Sequence, residues 1–174
     1  MDINEYDRKM MEAITTPEMA RAVSYAINGL TEDQLFQNGN LLRKIIIEGE
    51  SGYFDLSNAY YDKLIITETY IRYDYSPRFT DISKKIREPY KWTYRSDSKV
   101  YKDAFHKLVF YLNELESLQN IAVMDAGITT VRFLYNGDLK ATYDIYQGSY
   151  PKQFIKAIKK LIPAVESTPM CLRG

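Results

Sequence analysis

His106 is the only histidine and Cys171 the only cysteine in the chain, and these two counts bound most of its possible chemistry. A nucleophile activated in the Ser-His-Asp or Cys-His manner would have to use His106 as its base. That residue falls one position off the apolar stripe of a long helix, between Lys102 and Phe110, which is the place of an exposed or edge residue. One histidine and one cysteine also fall short of the ligand set of an ordinary zinc site. A single cysteine forms no internal disulfide. Cys171 stands fourth from the end, as in a prenylation box, but CLRG carries an arginine where that box has an aliphatic residue. The thiol is therefore read as incidental, on a flexible tail over 168–174.

Two further patterns resemble known chemistry and lack its decisive residue. GESG at 49–52 follows three isoleucines, like a phosphate-binding loop after a strand. A Walker loop needs Lys-Ser/Thr after its last glycine so that the amine reaches the outer phosphates. Here Gly52 is followed by Tyr53, Phe54 and Asp55, so the segment reads as a turn. Glu48, Glu50, Asp55 and Asp62 cluster in sequence, and Asp138-Leu139-Lys140 forms a D-x-K at a hairpin turn. Such groups could hold Mg²⁺ while a lysine steers the attacking water, making a Mg-dependent hydrolase or nuclease an alternative. The same D-x-K spacing recurs at Asp97-Ser98-Lys99, and Asp138 beside Asn-Gly is explained by turn chemistry. No catalytic residue, metal or cofactor is assigned, and the expectation is a protein that is not an enzyme.

The densest concentration of binding chemistry is 72–102. There Arg72, Arg78, Lys84, Lys85, Arg87, Lys91 and Arg95 alternate with Tyr75, Tyr90, Trp92 and Tyr94. Cations neutralise phosphates while rings stack on unpaired bases, each stack contributing roughly 1–3 kcal/mol. Tyr, Trp and Arg also dominate protein–protein hot spots. Charge is unevenly spread: residues 1–71 sum to −6, 72–102 to +5 and 103–174 to +1. The overall pI of about 6.6 is not that of a dedicated nucleic-acid binder. The acidic first part could dock on a basic groove, although Glu18, Glu32 and Asp33 lie in first turns where the helix dipole favours them.

These residues need elements to position them. ITTVRFLY and LKATYDIY flank Asn136-Gly137, the strongest short hairpin signal, since a type I′ turn needs positive φ at both central residues. A two-residue loop sets Leu134 against Leu139, Arg132 against Ala141, Thr130 against Tyr143 and Ile128 against Ile145, with that side turned to the core. Residues 64–75, rich in β-branched and aromatic types, read as one strand ended by Pro77. Residues 40–48 fit either a helix or a buried strand at 45–47, 80–88 a short basic helix, and 121–124 an extra strand. Tyr101, Phe105, Leu108, Leu112 and Leu115 mark a helix over 97–119, and Phe154, Ile155, Ile158, Leu161 and Ile162 another over 151–162. Caps at Asp2, Thr16-Pro17 and Thr31 predict three short helices in 1–38.

The expected fold is α+β in a single domain, 1–174. A helical subregion (1–38) precedes a small antiparallel sheet, formed by strand 64–75 and hairpin 128–146, with helices 97–119 and 151–162 over one face. Sixteen tyrosines suit a sheet or a recognition face. No apolar leader or membrane-length run is present, so a cytoplasmic location is expected. The leading functional expectation is a macromolecule-binding protein with a protein partner. Its concrete form is a small phage-type or mobile-element inhibitor or accessory protein docking on host nucleic-acid machinery. Direct nucleic-acid binding through 72–102 is the alternative.

Overall fold

The computed structural model describes residues 41–52, 59–78, 88–119, 127–136, 140–146, 149 and 151–173. Within them the isoleucine run adopts strand β1, Leu42–Glu50, as suits side chains that are stiff at χ1 and favour a pleated surface. The next three strands follow in turn: β2, Tyr60–Ile66, β3, Tyr70–Pro77, and β4, Tyr90–Arg95. The last two, β5 (Ile128–Tyr135) and β6 (Lys140–Tyr146), come after a helical crossover. All six form one sheet in the order β4-β3-β2-β1-β5-β6, every neighbour antiparallel.

The register sorts residues into rows across the sheet. Tyr94, Ile71, Ile66, Ile45, Phe133 and Ala141 share one row. Trp92, Tyr73, Leu64, Ile47, Val131 and Tyr143 share the next, and Tyr90, Tyr75, Asp62, Gly49, Thr129 and Ile145 the third. These rows form the covered face. Over them lies a continuous helical run of α1 (Lys99–His106), a 3₁₀ stretch (Lys107–Tyr111) and α2 (Leu112–Leu118). Tyr101, Phe105, Leu108, Leu112 and Leu115 are all buried beneath it. Ser98 caps α1 by accepting from the Tyr101 N–H at 3.2 Å. Helix α3 (Lys152–Lys159) has no side-chain cap of its own. The Glu114 carboxylate on α2 supplies one, accepting from the N–H groups of Gln153 at 2.9 Å and Phe154 at 2.7 Å.

The expected architecture is overturned. The described chain is mostly a six-stranded antiparallel sheet with one helical run of 20 residues, not helices followed by a two-element sheet. The helices expected in 1–38, the helix expected at 80–88 except its last residue, and the strand expected at 121–124 lie outside the described residues. The single strand expected at 64–75 is two, turning at Thr67–Thr69 without glycine or proline. There the Thr67 hydroxyl accepts from the N–H groups of Tyr70 (3.1 Å) and Thr69 (3.3 Å), and the Thr67 N–H donates to the Tyr70 carbonyl at 2.8 Å. A side-chain hydroxyl does the work of a turn residue. Tyr90–Arg95, to which no element was assigned, is a strand. The 128–146 hairpin pairs one residue out of the expected register, with Leu134 opposite Lys140 and Phe133 opposite Ala141. Since side chains alternate, that slip brings Val131 and Phe133 of β5 into the core instead of Arg132 and Leu134.

Cys171, expected on a tail, is buried in a 3₁₀ turn (Met170–Leu172) packed on β1 and β2. What holds the turn is Asp62, the one carboxylate buried among the described residues. Its Oδ2 accepts from the Cys171 N–H at 2.8 Å and from the Tyr73 hydroxyl at 2.8 Å, and the Tyr73 oxygen accepts from the Met170 N–H at 3.0 Å. Burial pushes the Asp62 carboxyl up; the Cys171 and Tyr73 donors pull against it. Burial and the neighbouring carboxylate push the Tyr73 phenol up, and they do the same to the Cys171 thiol. Asp62 fits because Gly49 faces it: a β-carbon there would stand 2.2 Å from Asp62 Oδ1 and 3.0 Å from Cys171 Cβ.

Gly49→Ala should therefore cost about 1–3 kcal/mol in urea unfolding, the scale of an overpacked core site; an unchanged midpoint would show that Asp62 has room to move. A second expectation concerns pH. Because the folded carboxyl binds its proton more tightly than the unfolded one, its contribution is greatest below its ordinary value of 3.8 and falls as pH rises above it. Asp62→Asn, which cannot titrate, should gain stability relative to the native chain as pH rises above that value. A difference that stays constant would contradict burial as the dominant influence.

Candidate functional site

The residues between those of the covered rows form the open face, on which no described element packs. One row reads Thr93, Arg72, Ile65, Ile46, Arg132 and Thr142; the next reads Lys91, Asp74, Lys63, Glu48, Thr130 and Asp144. Opposite charges stand side by side across strands, the favourable arrangement in a sheet. Arg72 grips Asp74 through two bonds, Nε–Oδ2 at 2.9 Å and Nη2–Oδ1 at 3.1 Å. Glu48 on β1 receives Lys63 from β2 at 2.7 Å and Arg132 from β5. Arg78 binds Glu50 at 2.6 Å and lies 4.6 Å over the ring of Tyr61, whose hydroxyl it also meets. Thr130 donates to Asp144 at 2.6 Å. Tyr61 (45% exposed) and Ile128 (36% exposed) project beside a groove of about 580 Å³ lined by Glu48, Lys63, Asp74 and Arg132.

At one border of this face lies β4, whose only sheet neighbour among the described residues is β3. Its alternation divides two chemistries. Tyr90, Trp92 and Tyr94 lie along the rim of the covered face: Tyr90 stacks on Tyr75 at 5.0 Å, Trp92 tilts against Tyr73 at 5.8 Å and Tyr94 meets Tyr101 edge-on at 6.3 Å. Lys91, Thr93 and Arg95 lie on the open side, where Arg95 stands 5.7 Å over the Tyr70 ring.

The basic-aromatic segment is thus sorted by the sheet. Arg72 is on the open face, paired with Asp74, and Arg78 joins Glu50 and Tyr61. Tyr75 is 5% exposed, a core residue. Tyr90, Lys91, Trp92, Tyr94 and Arg95 come together on β4. Lys84, Lys85 and Arg87 lie outside the described residues. Sequence reasoning missed Tyr61, Lys63, Ile128 and Arg132 as surface groups. Their signal was the alternation with buried neighbours, legible only once β1, β2 and the β5 register are known.

The sheet also separates the carboxylates considered for Mg²⁺. Asp62 lies on the covered side beneath the Met170–Leu172 turn, whereas Glu48 and Glu50 lie on the open side, each held by cations. Asp55 and Asp138 lie outside the described residues. No three His, Cys, Asp or Glu groups gather as a metal site among the described residues. His106, on the helical run, has its Nε2 3.4 Å from Glu68 in the turn between β2 and β3. No helix among the described residues is long and apolar enough to cross a membrane. Comparison with known proteins gives no match to a family model, a curated protein or a solved structure.

The Lys63 bond above all holds the Glu48 carboxyl below its ordinary value of 4.5; burial, next in size, pushes it up, and the Arg132 bond and the charges of both cations pull it down again. This contribution is present above that value and is lost as pH falls through the depressed one. Glu48→Gln should therefore lower the melting temperature at neutral pH, by the equivalent of under about 1 kcal/mol for so exposed a group. The deficit should close in acid; one that persists there would assign the loss to packing.

Proposed function

We propose that this protein works without catalysis, by docking another protein onto the open face of its sheet. The observation carrying this reading is the composition of that face: charges of both signs, paired across strands at Lys63–Glu48 and Arg132–Glu48 and along β3 at Arg72–Asp74, around exposed Tyr61 and Ile128. A nucleic-acid surface concentrates cations to displace counterions. Here Glu48, Glu50, Asp74 and Asp144 are set among Arg72, Lys63 and Arg132, a pattern that would repel phosphate as often as attract it. Mixed charge surrounding Tyr and Arg is the make-up of a protein–protein patch. Five inter-strand gaps and seven-residue strands give a face of roughly 550 Å² in projection, comparable with the ~800 Å² that each partner contributes to a standard interface.

The test is affinity capture by the tagged chain from lysate of its source, with and without nuclease. A protein should survive nuclease treatment, and Tyr61→Ala and Arg132→Ala should each cut its retention at least tenfold, with Arg132→Ala lowering the melting temperature by no more than Glu48→Gln does. Lys156→Ala, an exposed change on α3, should have no effect. Equal retention by all variants, or retention that disappears with nuclease, would overturn the proposal.

A further inference from the structure

We infer that the free edge of β4 accepts an extended segment of a partner protein whose residues alternate apolar and acidic. This rests on the protein-binding reading above and adds a second element of recognition at the border of the same face. Alternate residues of an edge strand direct their N–H and C=O groups away from the sheet, where an added strand pairs with them. Among the described residues nothing pairs with that edge.

The side chains specify what is added. A strand laid beside β4 places one set of its residues against the rim of Tyr90, Trp92 and Tyr94, of which Tyr94 is 38% exposed, and the other set beside Lys91 and Arg95. Neither cation has a carboxylate partner among the described residues, because the nearby Asp74 is engaged by Arg72. An apolar set extends the aromatic rim; an acidic set completes the row of cross-strand pairs that crosses the open face.

The same charges argue against a second copy. Antiparallel pairing of β4 with itself about Thr93 sets Lys91 opposite Arg95 twice, and like charges directly opposite destabilise a ladder. The rings argue against single-stranded nucleic acid, whose bases need open ring faces: Tyr90 already stacks on Tyr75 and Trp92 lies tilted against Tyr73.

The probe is a fluorescein-labelled eight-residue peptide of alternating Val and Glu, titrated by anisotropy against the full chain. Its twins are a Val-Lys peptide and two copies N-methylated on either the Val or the Glu nitrogens. The Val-Glu peptide should bind at least tenfold more tightly than the Val-Lys one. One N-methylated copy should lose at least tenfold and the other retain binding, because only alternate N–H groups face β4. The Lys91→Glu/Arg95→Glu chain should reverse the preference between Glu and Lys peptides. Equal binding of both charge types, indifference to both methylation patterns, or displacement by an equimolar ten-nucleotide oligo(dT) would overturn the inference. The assay uses purified protein alone, so its failure is distinct from an empty lysate capture.

Discussion

Burial of Ile45 and Ile47 on one side of β1, with Ile46 between them turned the other way, is the constraint from which the rest of the sheet takes its position. β1 is hydrogen-bonded to β2 on one side and β5 on the other, so its alternation sets the alternation of both neighbours. A one-residue shift at either seam would bring Lys63 or Arg132 under the helices and put Leu64 or Val131 into solvent. The large apolar area at stake makes such a shift prohibitive. Gly49 belongs to the same constraint. It stands on the covered side of β1, where the absence of a side chain admits the Asp62 carboxylate and hence the terminal turn.

Two carboxylates on adjacent strands illustrate how much this sorting decides. Glu48 and Asp62 are offset by one residue in the β1–β2 ladder and so lie on opposite faces. Glu48, beside Lys63 and Arg132 and open to water, is held in its charged form. Asp62, buried beneath the Met170–Leu172 turn with neutral donors, has its charged form disfavoured. The residues are chemically near-identical, and environment alone sets the sign of the shift.

The same sorting explains what could be read in the chain beforehand. The stripe Tyr101, Phe105, Leu108, Leu112, Leu115 was legible because a helical face is a local property of spacing, and it is the stripe that is buried. The location of the 128–146 hairpin was legible from Asn136-Gly137, but its register was not, since one residue more between the strands inverts the β5 faces. The turn at Thr67–Thr69 escaped because it uses a threonine hydroxyl, and β4 escaped because aromatic and basic residues alternate there without an apolar run. The open-face network was out of reach for another reason. Arg132 and Glu48 are 84 residues apart, and only the β1–β5 pairing brings them together.

That pairing also imposes an order of events on the growing chain. Strands β1 to β4 are consecutive and can form a meander as they emerge, but β1 then has a bare edge. Its partner is complete only at Tyr135, so at ~5–20 residues per second that edge waits on the order of ten seconds after Glu50 is made. Through that interval a hydrophobic strand destined for the centre of the sheet behaves as an outer one, open to the wrong neighbour. The helical crossover is made in the same interval, before β5. Its stripe is then available to shield Ile45 and Ile47 until the last hairpin closes the sheet.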